Sequence, residues 1–210
     1  MRGLAKRILS RTIRPWGLGL PLLDLAPTLD GQAKWHQDFI IHLACILKPE
    51  IYVELGIFKC GLFNRMVPLA GKAIGVDANP EAGQHMVRAP NVRFVSATTA
   101  DFARQLKAAP IAIDMLFIDA DHSKEAVMAD FRSFLPFVRP QGLILLHDTH
   151  PIDEAATASE RCGDGYLAIE ELSREREDFE MMTIPVHPGL TCCRKRQRQL
   201  SWQSTTDAAQ

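Results

Sequence analysis

Four short apolar runs in this chain end on a carboxylate, and helical stretches separate them. Ile51-Tyr52-Val53-Glu54-Leu55 carries Glu54 at its end, Ala73–Val76 runs into Asp77, Ile111–Ile118 into Asp119, and Gly142–Leu146 into His147-Asp148. Between them lie stretches with helical periodicity and helix signals. Phe39, Ile40, Leu43, Ala44 and Leu47 recur at helical spacing behind a cap at Asp30, and Lys48-Pro49 stops that helix. A helix runs to about Leu69, Pro80 suits the first turn of another, and Thr99–Lys107 reads as a third. Ser123 caps a helix that buries Val127, Phe131, Phe134 and Leu135, and Gly165–Glu177 is helical with Tyr166, Ile169 and Leu172 inward. Val92–Val95 is one more buried run. Strand–helix alternation of this kind predicts parallel strands covered on both faces, an α/β doubly wound sheet. Phe179–Ile184 and Leu190–Cys193 are too close for a crossover helix and predict an antiparallel hairpin at the sheet edge.

That pattern has a chemical consequence. In an open parallel sheet the strand ends share one edge, and ligands bind beyond it at the point where the strand order reverses. Four acids therefore converge on one crevice. Asp often ends a strand or caps the next helix, so any one of the four has a structural explanation, but the set points to a site.

Composition excludes several classes. With 24 Lys plus Arg against 25 Asp plus Glu, the chain gives no electrostatic reason to bind nucleic acid. No apolar run reaches the length of a membrane span. Five cysteines with no CxxC spacing cannot all pair internally, which fits reduced thiols and a cytoplasmic location. Charge marks off the ends. Residues 1–30 form a basic arm with Arg2, Lys6, Arg7, Arg11 and Arg14, and Leu4, Ile8 and Leu9 between them. It reads either as a solvated, loosely docked arm or as an amphipathic helix on an anionic membrane surface or partner. Residues 31–195 form the main domain and 196–210 a polar tail.

The first turn reads Glu54-Leu55-Gly56-Ile57-Phe58-Lys59-Cys60-Gly61. A dinucleotide turn wants GxGxxG so that backbone N–H groups reach a pyrophosphate. Here a carboxylate stands at the strand end, which repels phosphate and suits an ammonium or sulfonium. Some twenty residues on, Asp77 is placed to accept hydrogen bonds from both hydroxyls of a ribose. A ribose with a cationic, phosphate-free extension describes S-adenosylmethionine.

Val53-Glu54-Leu55-Gly56 through Gly61, Ile74-Gly75-Val76-Asp77, Phe117-Ile118-Asp119-Ala120-Asp121-His122-Ser123-Lys124-Glu125, and Gly142 through His147-Asp148-Thr149-His150 resemble class I S-adenosylmethionine-dependent methyltransferases. More narrowly they resemble small-molecule and sugar O-methyltransferases of the macrocin type and proteins labelled cephalosporin hydroxylase. The resemblance spans about Glu50 to Thr149 and implies a Rossmann-like, mostly parallel seven-stranded sheet. It implies that Glu54, Gly56 and Gly61 hold the methionine half of S-adenosylmethionine and Asp77 the ribose. Ser96 and Thr98 border the adenine, with Asp119 also against the cofactor. It implies a divalent cation, Mg2+ by the hardness of its oxygen ligands, on Asp119 and Asp148, and His122 as catalytic base. Asp121 is an alternative metal ligand to Asp119.

The implied chemistry is coherent. A cation lowers the pKa of an acceptor hydroxyl, an imidazole takes its proton, and the sulfonium supplies the methyl group. The partner expected is a small hydroxylated metabolite or glycosyl group, and an oligomer is possible. Two other readings stand beside this one: a catalytically silent cofactor-binding module, and a nucleotide-dependent oxidoreductase, against which the incomplete glycine turn and Glu54 argue. Cys60 stands where relatives often have glycine. Its side chain is expected to crowd the cofactor, or to strain the turn if φ is positive. Thr149 stands where catechol-type relatives place a metal-binding amide.

Overall fold

The computed structural model describes residues 34–175 and 178–196. Seven strands form one sheet in the order β3-β2-β1-β4-β5-β7-β6. They are β1 (Ile51–Leu55), β2 (Lys72–Asp77), β3 (Val92–Ser96), β4 (Ile113–Ile118), β5 (Val138–His147), β6 (Phe179–Ile184) and β7 (Leu190–Lys195). The first five are parallel, and β7 runs antiparallel to both β5 and β6. The chain starts at the centre with β1, works outward through β2 and β3, then returns to place β4 on the other side of β1. That reversal lies between β1 and β4, where a crevice opens beyond their carboxyl ends.

Alternation along the strands divides the core into two layers. Val53, Leu55, Ile74, Val76, Leu116 and Ile144 face one layer with Phe102, Phe131 and Phe134. Those aromatics come from α3 (Thr99–Ala108) and α4 (Lys124–Phe134), and α5 (Tyr166–Leu172) adds Ala168, Ile169 and Leu172. Tyr52, Met115, Phe117 and Leu145 face the other layer, covered by α1 (Trp35–Leu47) and α2 (Gly61–Met66). An Arg65–Asp38 ion pair ties those two helices together. Thr98 and Ser123 cap α3 and α4 by accepting from the backbone N–H of Asp101 and Ala126.

Three expectations shift. The cap expected at Asp30 lies outside the described residues, and Lys34 holds the N-cap position without a side-chain bond. β5 begins at Val138, not Gly142: Val138 pairs with Ile113, the chain bulges through Gln141 at φ +66°, and pairing resumes with Leu143 opposite Met115. Pro140-Gln141-Gly142 forms a bulge within one strand. The helix expected over Gly165–Glu177 stops at Leu172. Glu170, Glu171 and Glu175 crowd its C-terminal end, where negative charge opposes the helix dipole.

Candidate active site

The first turn is held by groups inside it. Gly56 has φ +82°, and a Cβ there would stand 2.0 Å from the carbonyl oxygen of Asp119, so the β1 turn and the β4 end touch through a missing side chain. Asp77 Oδ2 accepts from the backbone N–H of Ile57 and Phe58, at 3.2 and 3.0 Å, while Oδ1 accepts from Asn79 N–H at 2.8 Å. The acid expected at a ribose is therefore also the clamp that shapes the turn. Cys60 has φ +58°, so the strained geometry expected there is present. Its side chain is fully buried in the α1–α2 layer, with Sγ 3.5 Å from the Ala82 carbonyl oxygen. A Cβ on Gly61 would have no contact nearer than Gln37 Nε2 at 4.0 Å, so the start of α2 is open.

Glu54 is buried beside that turn, 3% exposed, and Tyr52 Oη donates to its Oε2 at 2.5 Å. Burial pushes its pKa up to about 8, with Tyr52 pulling the other way and the Asp119 charge adding to the rise. At neutral pH the carboxyl is mainly protonated. Ser96 is exposed at the end of β3, and Thr98 spends its hydroxyl on the α3 cap, donating to Asp101 Oδ2 at 2.8 Å.

Beyond β4 and β5 the acids and imidazoles interlock. Asp119, His122 and Asp148 each bring one ligand atom within 4.8 Å of the others. His122 Nε2 lies 3.6 Å from Asp119 Oδ1 and 3.3 Å from Asp148 Oδ2. His147 Nδ1 lies 3.0 and 3.2 Å from the same two oxygens. His122 Nδ1 donates to the Arg161 carbonyl oxygen at 2.5 Å. Hydrogen bonding to Asp119 drives the His122 pKa up to about 9 against the opposing effect of burial. Burial opposes charge on His147 too, but Asp119 and Asp148 outweigh it and push its pKa up to about 10. Burial would raise Asp119, yet the two imidazoles hold it well below the usual carboxylate range. Asp148 sits at φ +57°, an unusual backbone for a non-glycine that turns the chain sharply at the strand end. Asp121 is exposed and accepts from the Ser123 N–H at 2.8 Å, which makes it a turn residue rather than a member of the cluster.

The family model of the methyltransferase domain matches residues 53–149, from β1 through the end of β5. That match takes in a little under half of the chain. The O-methyltransferase of Bacillus cereus, solved with SAH, superposes on the described fold at TM-score 0.64 and 18% identity, over 84% of each chain. The O-methyltransferase TomG of Streptomyces achromogenes, solved with SAM and involved in tomaymycin synthesis, does so at TM-score 0.65 and 17% identity, again over 84% of each chain. At that identity the likeness establishes the class I methyltransferase fold. Among curated proteins, Uncharacterized protein R132 of Acanthamoeba polyphaga mimivirus is 31% identical over 111 residues. That match covers 46% of this chain and spans about half the length of the relative.

Among the described residues, three features escape sequence reading. His147 is an equal partner of the acid cluster. His36 of α1 stacks on it with ring centroids 4.1 Å apart, and burial together with the His147 charge lowers the His36 pKa to about 3. The loop before α5 is the third. Gly165 N–H donates to the His122 carbonyl oxygen at 2.8 Å, and Lys124 N–H donates to Asp164 Oδ1 at 2.7 Å. A Cβ on Gly163, at φ +60°, would stand 2.4 Å from the His122 carbonyl oxygen. Only the glycines at 163 and 165 hint at that close approach in the sequence.

A cavity of about 800 Å³ opens beside the β5 end, lined by Thr149, His150, Tyr166, Ile169, Glu170 and Thr183 among others. A second, of about 590 Å³, is bordered by Asp121, His122, Thr157 and Asp164. Thr157 lines both. No described helix is long and apolar enough to cross a membrane.

Proposed function

We propose that the chain is an S-adenosylmethionine-dependent O-methyltransferase that acts on a hydroxyl of a small metabolite or glycosyl group with the help of a divalent cation. The observation that carries the reading is one juxtaposition. A buried acid at an open first turn stands on the same crevice as a cluster of acids and imidazoles at the β4 and β5 ends.

Glu54, Gly56 and Gly61 would take the methionine half of the cofactor, and Asp77, with lone pairs beyond its backbone bonds, the ribose. Ser96 and Thr98 border the adenine side. When bound, S-adenosylmethionine would supply an electrophilic methyl on a sulfonium, the C–S electron pair staying on sulfur, and the acceptor hydroxyl proton, made acidic by the cation, would pass to solvent water. Gly61 leaves room for that approach, and the Gly56 turn holds the β1 and β4 ends in fixed relation, so the domain's contribution is positioning.

The donor set fits a cation. Two carboxylate oxygens and one imidazole nitrogen converge, and the Thr149 hydroxyl beside Asp148 is buried with no hydrogen-bond partner. Asp119 and Asp148 would hold the ion, which lowers the pKa of an oxygen it binds. The cavity by Thr149 and His150 carries Asp153, Glu154 and Glu170 and no Lys or Arg, which suits a neutral polyhydroxyl or amine-bearing acceptor.

Calorimetry with S-adenosylmethionine and its demethylated product is the test. Micromolar binding of both is expected. Absence of heat with either, beside clear binding of NAD, would replace this reading with the oxidoreductase one.

A further inference from the structure

The role expected for His122, a free base, needs a lone pair turned toward an acceptor hydroxyl. The structure spends that lone pair elsewhere. A carbonyl oxygen only accepts, so the contact between His122 Nδ1 and Arg161 O fixes the proton on Nδ1. In the neutral ring Nε2 is then a bare lone pair, and it faces two carboxylate oxygens that are themselves acceptors, at 3.3 and 3.6 Å. Three acceptors facing one another are mutually repulsive unless something positive stands among them: in the metal-free chain that is a second proton on the ring, and in the loaded site it is the ion that replaces that proton. Bonds of about 2.1 Å place cis ligands about 3.0 to 3.4 Å apart; the 3.3 Å separation from Asp148 falls in that range and the 3.6 Å separation from Asp119 lies just beyond it.

His147 contrasts with it, although its Nδ1 is as close to the same oxygens. Its Nε2 is buried with no partner of any kind, so no acceptor exists there to hold a proton. The proton belongs on Nδ1, which donates to Asp119 Oδ1 at 3.0 Å. One imidazole thus offers a lone pair, and the other offers an N–H that orients the acids. The arrangement around His122 has the usual form for a metal-binding histidine, whose second nitrogen donates to a backbone carbonyl and so sets tautomer and ring angle. The loop that supplies this carbonyl is packed against His122 through Gly163 and Gly165.

We infer that His122 is the third ligand of the cation on Asp119 and Asp148, and that the site therefore selects an imidazole-binding transition ion such as Mn2+, Co2+ or Zn2+ over Mg2+. The inference rests on the divalent-cation part of the reading above and is independent of the cofactor. Mg2+ favours an all-oxygen shell, whereas imidazole suits the transition ions, whose affinity rises along the first row toward Cu2+.

The test uses the full chain, tag-free and metal-free, with no cofactor added. Zn2+ and Mg2+ are titrated separately by calorimetry, and the Mn2+ complex is measured by pulsed EPR for coupling to a directly bound imidazole nitrogen. The wild-type chain is expected to bind Zn2+ at least a hundredfold tighter than Mg2+ and to show that coupling. His122→Ala should lose the coupling and weaken Zn2+ tenfold or more, with Mg2+ changed less than about twofold. His122→Asn serves if the alanine variant fails to fold. His147→Gln should keep the coupling. No nitrogen coupling in wild type, coupling that survives in the His122 variants but vanishes in His147→Gln, or no cation binding at all would each overturn the inference. Binding of S-adenosylmethionine, measured separately, reports on the methyltransferase reading, so the two can fail independently.

Discussion

Cofactor binding should expel a proton from Glu54. In the free chain burial holds that carboxyl at a pKa of about 8, with Tyr52 Oη as its only hydrogen-bond partner in the described structure. The ammonium of S-adenosylmethionine or of its demethylated product favours the ionised form, so a cationic ligand binds the minority species. With a pKa of 8, about nine-tenths of the chains carry the proton at pH 7, and binding there should release about 0.9 proton. If only the ionised form binds, apparent affinity falls by the competent fraction, about 1 in 100 at pH 6 and 1 in 2 at pH 8, a change of about fiftyfold. Calorimetry at pH 7 in buffers of different ionisation enthalpy counts the protons directly. Glu54→Gln should abolish both the release and the pH dependence, and should cost most affinity at pH 8. Tyr52→Phe removes the bond that favours the carboxylate and should move the midpoint upward. Observed heats that do not vary with buffer would refute the argument, because they would mean Glu54 is already ionised or does not meet the cation. The same shift has a stability side. A raised folded pKa means that the folded chain keeps a proton that the unfolded chain loses above about 4.5, so Glu54 erodes stability as pH rises from about 4.5 to about 8.

Asp77→Ala should weaken cofactor binding by about 1.5–3 kcal/mol and also lower the melting temperature, since two backbone donors of the first turn lose their acceptor; unchanged values in both assays would remove Asp77 from both roles. Gly56→Ala puts a Cβ 2.0 Å from the Asp119 carbonyl oxygen at a positive φ. Denaturant unfolding should show a loss above about 2 kcal/mol, and a neutral outcome would mean that the β1 and β4 ends do not touch. Excess chelator should stop methyl transfer while leaving S-adenosylmethionine affinity within about twofold, and full turnover in chelator would exclude the cation from the reaction.

Much of this could be read from residue pattern because parallel strands buried on both faces leave few alternatives. The strand-end acids mark the crevice, and Ser123 announces its helix. The missing parts depended on contacts between distant segments. Nothing near His122 in sequence shows that Arg161 fixes its tautomer, because 39 residues separate the two. The burial of the Cys60 thiol depends on Ala82, which local pattern does not bring to it. Strand alternation alone does not say that the β4 end will carry Asp119 to the Nδ1 of His147. The part of β5 before Gly142 is hidden in the same way, because its pairing with Ile113 is separated from the apolar run by a bulge.

The order β5-β7-β6 also sets a timetable for the growing chain. When synthesis has reached Ile184, all five parallel strands exist, yet β5 has an open flank and β6 has nothing to pair with. Only Leu190–Lys195, sliding in between them, closes both gaps at once. Until then the strand that carries His147 and leads to Asp148 presents bare N–H and C=O groups to any extended segment nearby. A ribosome stalled in the β6–β7 turn would thus hold a nearly finished sheet whose exposed flank adjoins the very residues that its chemistry needs. Aggregation in that interval would capture the chain through β5, and residues 190–195 supplied as a separate peptide would be a natural competitor for the same edge.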